Sequence, residues 1–236
     1  MIPPDIYDPA VNALRFLAVD AIDRAVSGHP GAPLDMAPVI YRLFTRHLRH
    51  DPVDPGWVDR DRFVLSGGHA SMVLYGALHL AGYDTTMDDI RSFRQLGSRC
   101  AGHPERGLLA GVEVTTGPLG QGLSNAVGMA IAERLLAARF NREGLGVVDH
   151  RVFAECGDGD LMEGISAEAC SLAGHLGLGK LTLLYDNNRV SLDGPTSWTF
   201  TEDVATRFLA YGWHVVRLFD VDDFSAIDVA LADAAQ

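Results

Sequence analysis

The sequence predicts an α/β protein, a parallel sheet flanked by helices on both faces. Short apolar runs alternate along the chain with segments of helical period, the pattern of strands joined by crossover helices. A strand-helix-strand unit stands out between Val152 and Asn188. The 236 residues are 47% hydrophobic and include 25 glycines, which suits one large domain with a well-buried core and many tight turns.

Taken in order, Pro9 to Val26 places Val11, Leu14, Phe16, Leu17, Ala21, Ile22 and Ala25 close to helical period. Ser27-Gly28 ends that helix and opens the loop His29-Pro30-Gly31-Ala32-Pro33. A second helix is expected from Leu34 to His47, up to the Pro-rich turn at Asp51–Pro55. Arg62–Ser66 reads as a strand running into Gly67-Gly68-His69, followed by a helix from Ala70 to Leu80. Thr86 to Leu96 reads as a further helix, and an irregular stretch with Gly102-His103-Pro104-Glu105 comes next.

Thr115-Thr116-Gly117-Pro118-Leu119-Gly120-Gln121-Gly122 opens a long helix, Ser124 to Phe140, with an expected apolar face of Val127, Ile131, Leu135 and Ala138. A glycine-rich loop at a helix start offers backbone N–H groups and a positive dipole end to an anion. Val152-Phe153-Ala154 then forms a strand ending in Gly157-Asp158-Gly159, and a helix covers Ser166 to Leu176. Leu181 to Tyr185 forms the next strand and ends in Asp186-Asn187-Asn188. A loop from Ser191 to Thr201, a helix from Glu202 to Tyr211, a strand at His214–Leu218 and a helix from Phe224 to Ala235 complete the chain.

The formal charge of −12, from 19 basic and 31 acidic residues, argues against nucleic acid or an anionic membrane surface as partner. The three cysteines form no CxxC pair and suit a reducing compartment. Met1–Asp5 carries no signal-peptide pattern and no apolar run is long enough to span a bilayer, so the expected location is cytoplasmic.

The chemistry gathers at the expected strand ends. Asp158 and Asn188 fall at the carboxyl ends of two parallel strands, where open α/β sheets bind ligands. A carboxylate and an amide oxygen are hard donors suited to Mg²⁺ or Ca²⁺, and such a metal keeps phosphate oxygens in its shell. A diphosphate is the natural ligand. Of nine histidines, His29, His69 and His103 each follow a glycine in a break between elements. Each alone is a common turn residue, but three beside a diphosphate site suggest imidazoles meeting the hydroxyl and carbonyl oxygens of a polyol or keto-sugar. Glu163 reads equally well as a first-turn carboxylate favoured by the helix dipole or as a functional acid.

GDG followed by NN after about 25 to 30 residues resembles the thiamine diphosphate signature. SGHPGAP at Ser27–Pro33, LSGGHA at Leu65–Ala70, GHPE at Gly102–Glu105 and TTGPLGQG at Thr115–Gly122 resemble transketolase. So do GDGDLMEGIS at Gly157–Ser166, YDNNRVSLDG at Tyr185–Gly194 and FTEDVATRFLAYGWHV at Phe200–Val215. The resemblance implies the N-terminal diphosphate-binding domain of a transketolase of carbohydrate metabolism, passing a two-carbon ketol unit from a ketose to an aldose. It further implies that Asp158, the side chain of Asn188 and the backbone carbonyl of Val190 bind the divalent ion. His69, Gly117, Leu119, Gly157 and Gly159 would contact the cofactor, His29 and His103 the sugar, and Glu163 would couple the two sites of a dimer.

The family's pyrimidine-binding and C-terminal domains have no counterpart here, nor do the last strand and loop of this domain. A partner chain carrying the missing domains, in an α₂β₂ assembly, is therefore expected. A related two-carbon enzyme, dihydroxyacetone synthase-like or a biosynthetic variant, and a non-catalytic cofactor-binding or interaction module or fragment are the alternatives. Asp35, where the family has glycine, and Phe219–Asp223 depart from the family pattern.

Overall fold

The computed structural model describes residues 7–191 and 194–235. The expectations that touch residues 1–6, Leu192, Asp193 and Gln236 (the absent leader, part of the loop after Asn188, the last residue) lie outside them.

Three parallel strands, β1 (Arg62–Leu65), β2 (Val152–Gly157) and β3 (Leu181–Asp186), form the sheet in the order β1-β2-β3. The register pairs Leu65 with Glu155 and Gly157 with Asp186, so the carboxyl ends of the strands line up. Alternation of side chains across each strand splits the core into two layers. Phe63, Leu65 and Phe153 face one layer, with α1 (Tyr7–Ala25), α3 (Ala37–Arg42), α4 (Ser71–Leu80) and α10 (Phe224–Ala234). Val64, Val152, Ala154 and Cys156 face the other, with α6 (Gln121–Phe140) and α8 (Gly164–Leu176). The expected architecture, a parallel sheet covered on both faces, is the one observed.

Four local expectations are corrected. The helix expected over Leu34–His47 is split into α2 (Gly31–Asp35), α3 and a wide turn at Leu43–His47, so the expected loop through Pro33 is already helical. Pro38, in the first turn of α3, has no N–H to continue a helix from α2. The helix expected over Thr86–Leu96 is only α5 (Met87–Arg91). A capping box of Thr86 and Asp89 starts it; Arg94, at φ +59°, turns the chain away, with its N–H on the Cys100 carbonyl at 3.0 Å.

Along α6 the buried face is Leu123, Ala126, Val127 and Ala130, while Ile131 is half-buried and Leu135 and Ala138 are exposed. Glu133 is also buried on that face, paired with Lys180 at 2.6 Å. His214–Leu218 is not a strand. The sheet ends at β3, and among the described residues no strand lies beside this segment to share a ladder. The helix of Glu202–Tyr211 is α9 (Val204–Ala210), preceded by a short ribbon of β4 (Val190–Ser191) and β5 (Gly194–Pro195). Among the described residues no helix is long and apolar enough to cross a membrane.

Candidate active site

Each strand of the sheet delivers one turn to the same end. β2 runs through Gly157 into a short helix, α7 (Asp158–Met162), which starts on Asp158. β3 ends at Asp186, and Arg189, at φ +61°, reverses the chain just past Asn188. That reversal brings the two turns together. The Arg189 N–H donates to Asp158 Oδ2 at 3.1 Å, and the Tyr185 hydroxyl donates to Asp158 Oδ1. The Val190 N–H donates to Asn188 Oδ1 at 3.0 Å, and Asn188 Nδ2 donates to Asp186 Oδ2 at 3.0 Å. Asp158 is buried, and Val190, which follows the Arg189 that bonds it, is exposed.

Among the described residues no cluster of three or more His, Cys, Asp and Glu is arranged to hold a metal. The expected donors are of another kind: one carboxylate, one amide oxygen and one backbone carbonyl. This hard, sparsely charged set fits Mg²⁺ or Ca²⁺ with ligand oxygens completing the shell, provided the present hydrogen bonds give way.

The two glycine loops interlock over this turn. A Cβ on Gly68 would come within 2.8 Å of the Gly117 N, and one on Gly159 within 2.9 Å of Leu119. Asp160, which sequence reasoning passed over, is the tie that holds them. It is fully buried and accepts from the Ser66 hydroxyl at 2.6 Å, the Gly120 N–H at 2.9 Å and the Gly157 N–H at 3.1 Å. Ser66 in turn accepts from the Leu123 N–H at 2.9 Å. One carboxylate thus joins the end of β1, the start of α6 and the β2 turn. An acid three residues past the Gly157 cap was the available signal.

The three loop histidines meet. The rings of His29 and His69 lie 5.2 Å apart, edge to face. The His103 ring stands 3.6 Å from where a Gly117 Cβ would be, and its loop is held by Tyr75 and Ser71, which donate to the carbonyls of Ala101 and Gly102. Burial pulls His69 below the ordinary histidine range, helped by His29 and His103 and opposed by Asp160. His103 is pulled down by burial, then by Arg94 and His29. Both imidazoles are therefore neutral at pH 7, able to accept or donate a proton. Glu163 is exposed in the single chain, at the start of α8 beside Gly120. The remaining histidines serve structure where their contacts are seen: His50 stacks on Tyr83, His79 bonds the Thr85 carbonyl and His47 meets Asp228.

Two further acids lie under the site. Glu155 on β2 is buried beneath Gly67, and its Oε2 has no hydrogen-bond partner among the described residues. Burial, then Asp160 and Asp186, push it far above the usual carboxylate range. Asp186 is pushed up to about 6 by burial and then by Asp35, so the departure at position 35 bears electrostatically on the β3 turn.

Comparison with known proteins matches residues 6–236 to the family described as "Transketolase, thiamine diphosphate binding domain". The chromosomal transketolase of Cupriavidus necator is 58% identical over 234 residues, covering 98% of this chain and 35% of that protein. Transketolase 1 of Escherichia coli is 57% identical over 223 residues, 94% of this chain and 34% of its own length. Among solved structures, transketolase from Leishmania mexicana superposes with a TM-score of 0.95 at 52% identity, covering 97% of this chain and 34% of that one. A Pichia stipitis transketolase described in complex with sedoheptulose 7-phosphate superposes with a TM-score of 0.95 at 50% identity, over 98% of this chain and 34% of that one. The chain thus spans about a third of the length of these relatives.

Proposed function

The chain belongs to the transketolase family, and from that premise we propose that it is the thiamine diphosphate- and Mg²⁺-binding part of a transketolase-type transferase. It moves a two-carbon ketol unit from a ketose phosphate to an aldose phosphate, in company with a partner chain that supplies the remaining domains in an α₂β₂ assembly. Its buried, unpaired thiols support a reducing, cytoplasmic setting.

The observation that carries this reading is the convergence, at the carboxyl ends of three parallel strands, of the Asp158–Asn188 turn with His29, His69 and His103. Asp158, Asn188 and the Val190 carbonyl hold the divalent ion. Gly117, Leu119, Gly157, Gly159 and His69 cradle the cofactor, where a larger residue at Gly159 would meet Leu119. Thiamine diphosphate, when bound, supplies the nucleophile and electron sink that breaking a C–C bond beside a carbonyl requires. His29 and His103 orient the sugar, and neutral His103 takes up or returns a proton at its oxygens. Exposed Glu163 is assigned to coupling two sites across a dimer.

Calorimetric titration of the chain with its partner, using thiamine diphosphate and Mg²⁺, tests the assignment. Asp158→Ala is expected to abolish Mg²⁺-dependent binding, and wild-type affinity in that variant would sink the metal site.

A further inference from the structure

The segment Phe93-Arg94 lies between two of the site's loops and touches both at their glycines. A Cβ on Gly28 would stand 3.2 Å from the Phe93 ring, and one on Gly102 would stand 3.2 Å from Arg94 Nε. These glycines directly precede His29 and His103. A methyl group on Gly28 would meet Ile22 first, at 2.7 Å, and then Phe93, and one on Gly102 would press directly on Arg94.

Arg94 also reaches across, its Nη1 donating to the Ser27 hydroxyl at 2.8 Å. It does so from a left-handed backbone, φ +59°, which a non-glycine residue adopts at a cost, held there by the bond to the Cys100 carbonyl. Its Nε is buried with no hydrogen-bond partner among the described residues. A strained backbone and an unsatisfied donor at one residue are not explained by stability.

We propose that Arg94 is a positioning residue, a clamp that binds the Ser27–His29 loop to the Gly102–His103 loop and so fixes the spacing of two sugar-facing imidazoles. The clamp rests on the reading of His29 and His103 given above. The titratable and charged groups facing His103 are Arg94, His29 and His69, and Arg94 is the only permanent charge among them. A cation there also disfavours a proton on His103.

Hydrogen exchange and histidine NMR titration on the intact chain test this with Arg94→Gln, Arg94→Lys and Ser27→Ala. Arg94→Gln is expected to speed amide exchange at 27–31 and at 100–104 together, by about tenfold, leaving 157–163 unchanged. The His103 midpoint should rise in Arg94→Gln and stay near wild type in Arg94→Lys, which keeps the charge. Ser27→Ala should loosen both loops without moving that midpoint as far. Exchange that changes in only one loop, in neither, or uniformly across the molecule would overturn the clamp, as would an unmoved His103 in Arg94→Gln. Thiamine diphosphate titration of the wild type in the same assembly decides the functional reading separately, because the exchange pattern does not depend on the cofactor.

Discussion

Glu155 is buried in the central strand, and its Oε2 has no hydrogen-bond partner among the described residues. Because burial and two neighbouring acids hold it far above the ordinary value of 4.5, it is protonated well past the pH at which the unfolded chain loses that proton. The folded state then binds the extra proton, so stability falls as pH rises from 4.5 toward the folded value. Glu155→Gln, which copies the neutral acid in shape and hydrogen bonding, removes that slope. Denaturant titrations from pH 5 to 8 should show the variant gaining on wild type by up to ~1.4 kcal/mol per pH unit. A gap that stays constant with pH would mean that Glu155 is ionised in the fold. The residue escaped the sequence reading because an acid inside an apolar run resembles a strand end. The histidines and the Asp158–Asn188 pair were legible because glycines and chain breaks marked them.

The elements differ in what their glycines do. Gly68 lies where the β1 turn presses on the second glycine loop, and a methyl group there would meet the Thr116 hydroxyl at 2.7 Å and the Gly117 N at 2.8 Å. Gly128, mid-way along α6, has nothing within 4 Å. Gly68→Ala should part the two loops, lowering cofactor affinity and costing on the order of 1–3 kcal/mol of stability. Gly128→Ala should stabilise by about 0.5–1 kcal/mol through helix propensity alone. Thermal unfolding beside cofactor titration checks both, and equal effects at the two sites would refute the interlocked-loop account. Periodicity located α1 and α6 well, because each buries one stripe of side chains in a core layer. It failed at His214–Leu218, whose apolar pattern fits a strand although no ladder partner adjoins it among the described residues. At α5 the stop came from backbone reversal at Arg94, which no side-chain pattern announces.

At the scale of the molecule, β3 forms one edge of a sheet that has covered faces, and the matched relatives are about three times as long. Under the split-enzyme proposal, native mass spectrometry of the gently purified chain is expected to show a heavier second chain in stoichiometric amount, needed for the proposed ketose-to-aldose transfer. The chain alone, inactive and without partner, would favour the binding module. Sequence reading reached the family but not the second layer of acids beneath the proposed site, since tertiary packing alone sets their neighbours. The three thiols add one practical consequence. Cys100, Cys156 and Cys170 are fully enclosed; burial pushes the first and last up to about 12 and holds the middle one well above the ordinary thiol range. An alkylating reagent reaches such sulfurs only when the surrounding structure opens. One lies in a loop closing the first core layer, one in the central strand and one in the helix covering the second layer. The chain therefore carries three built-in clocks, and the order in which they are labelled records which region lets go first.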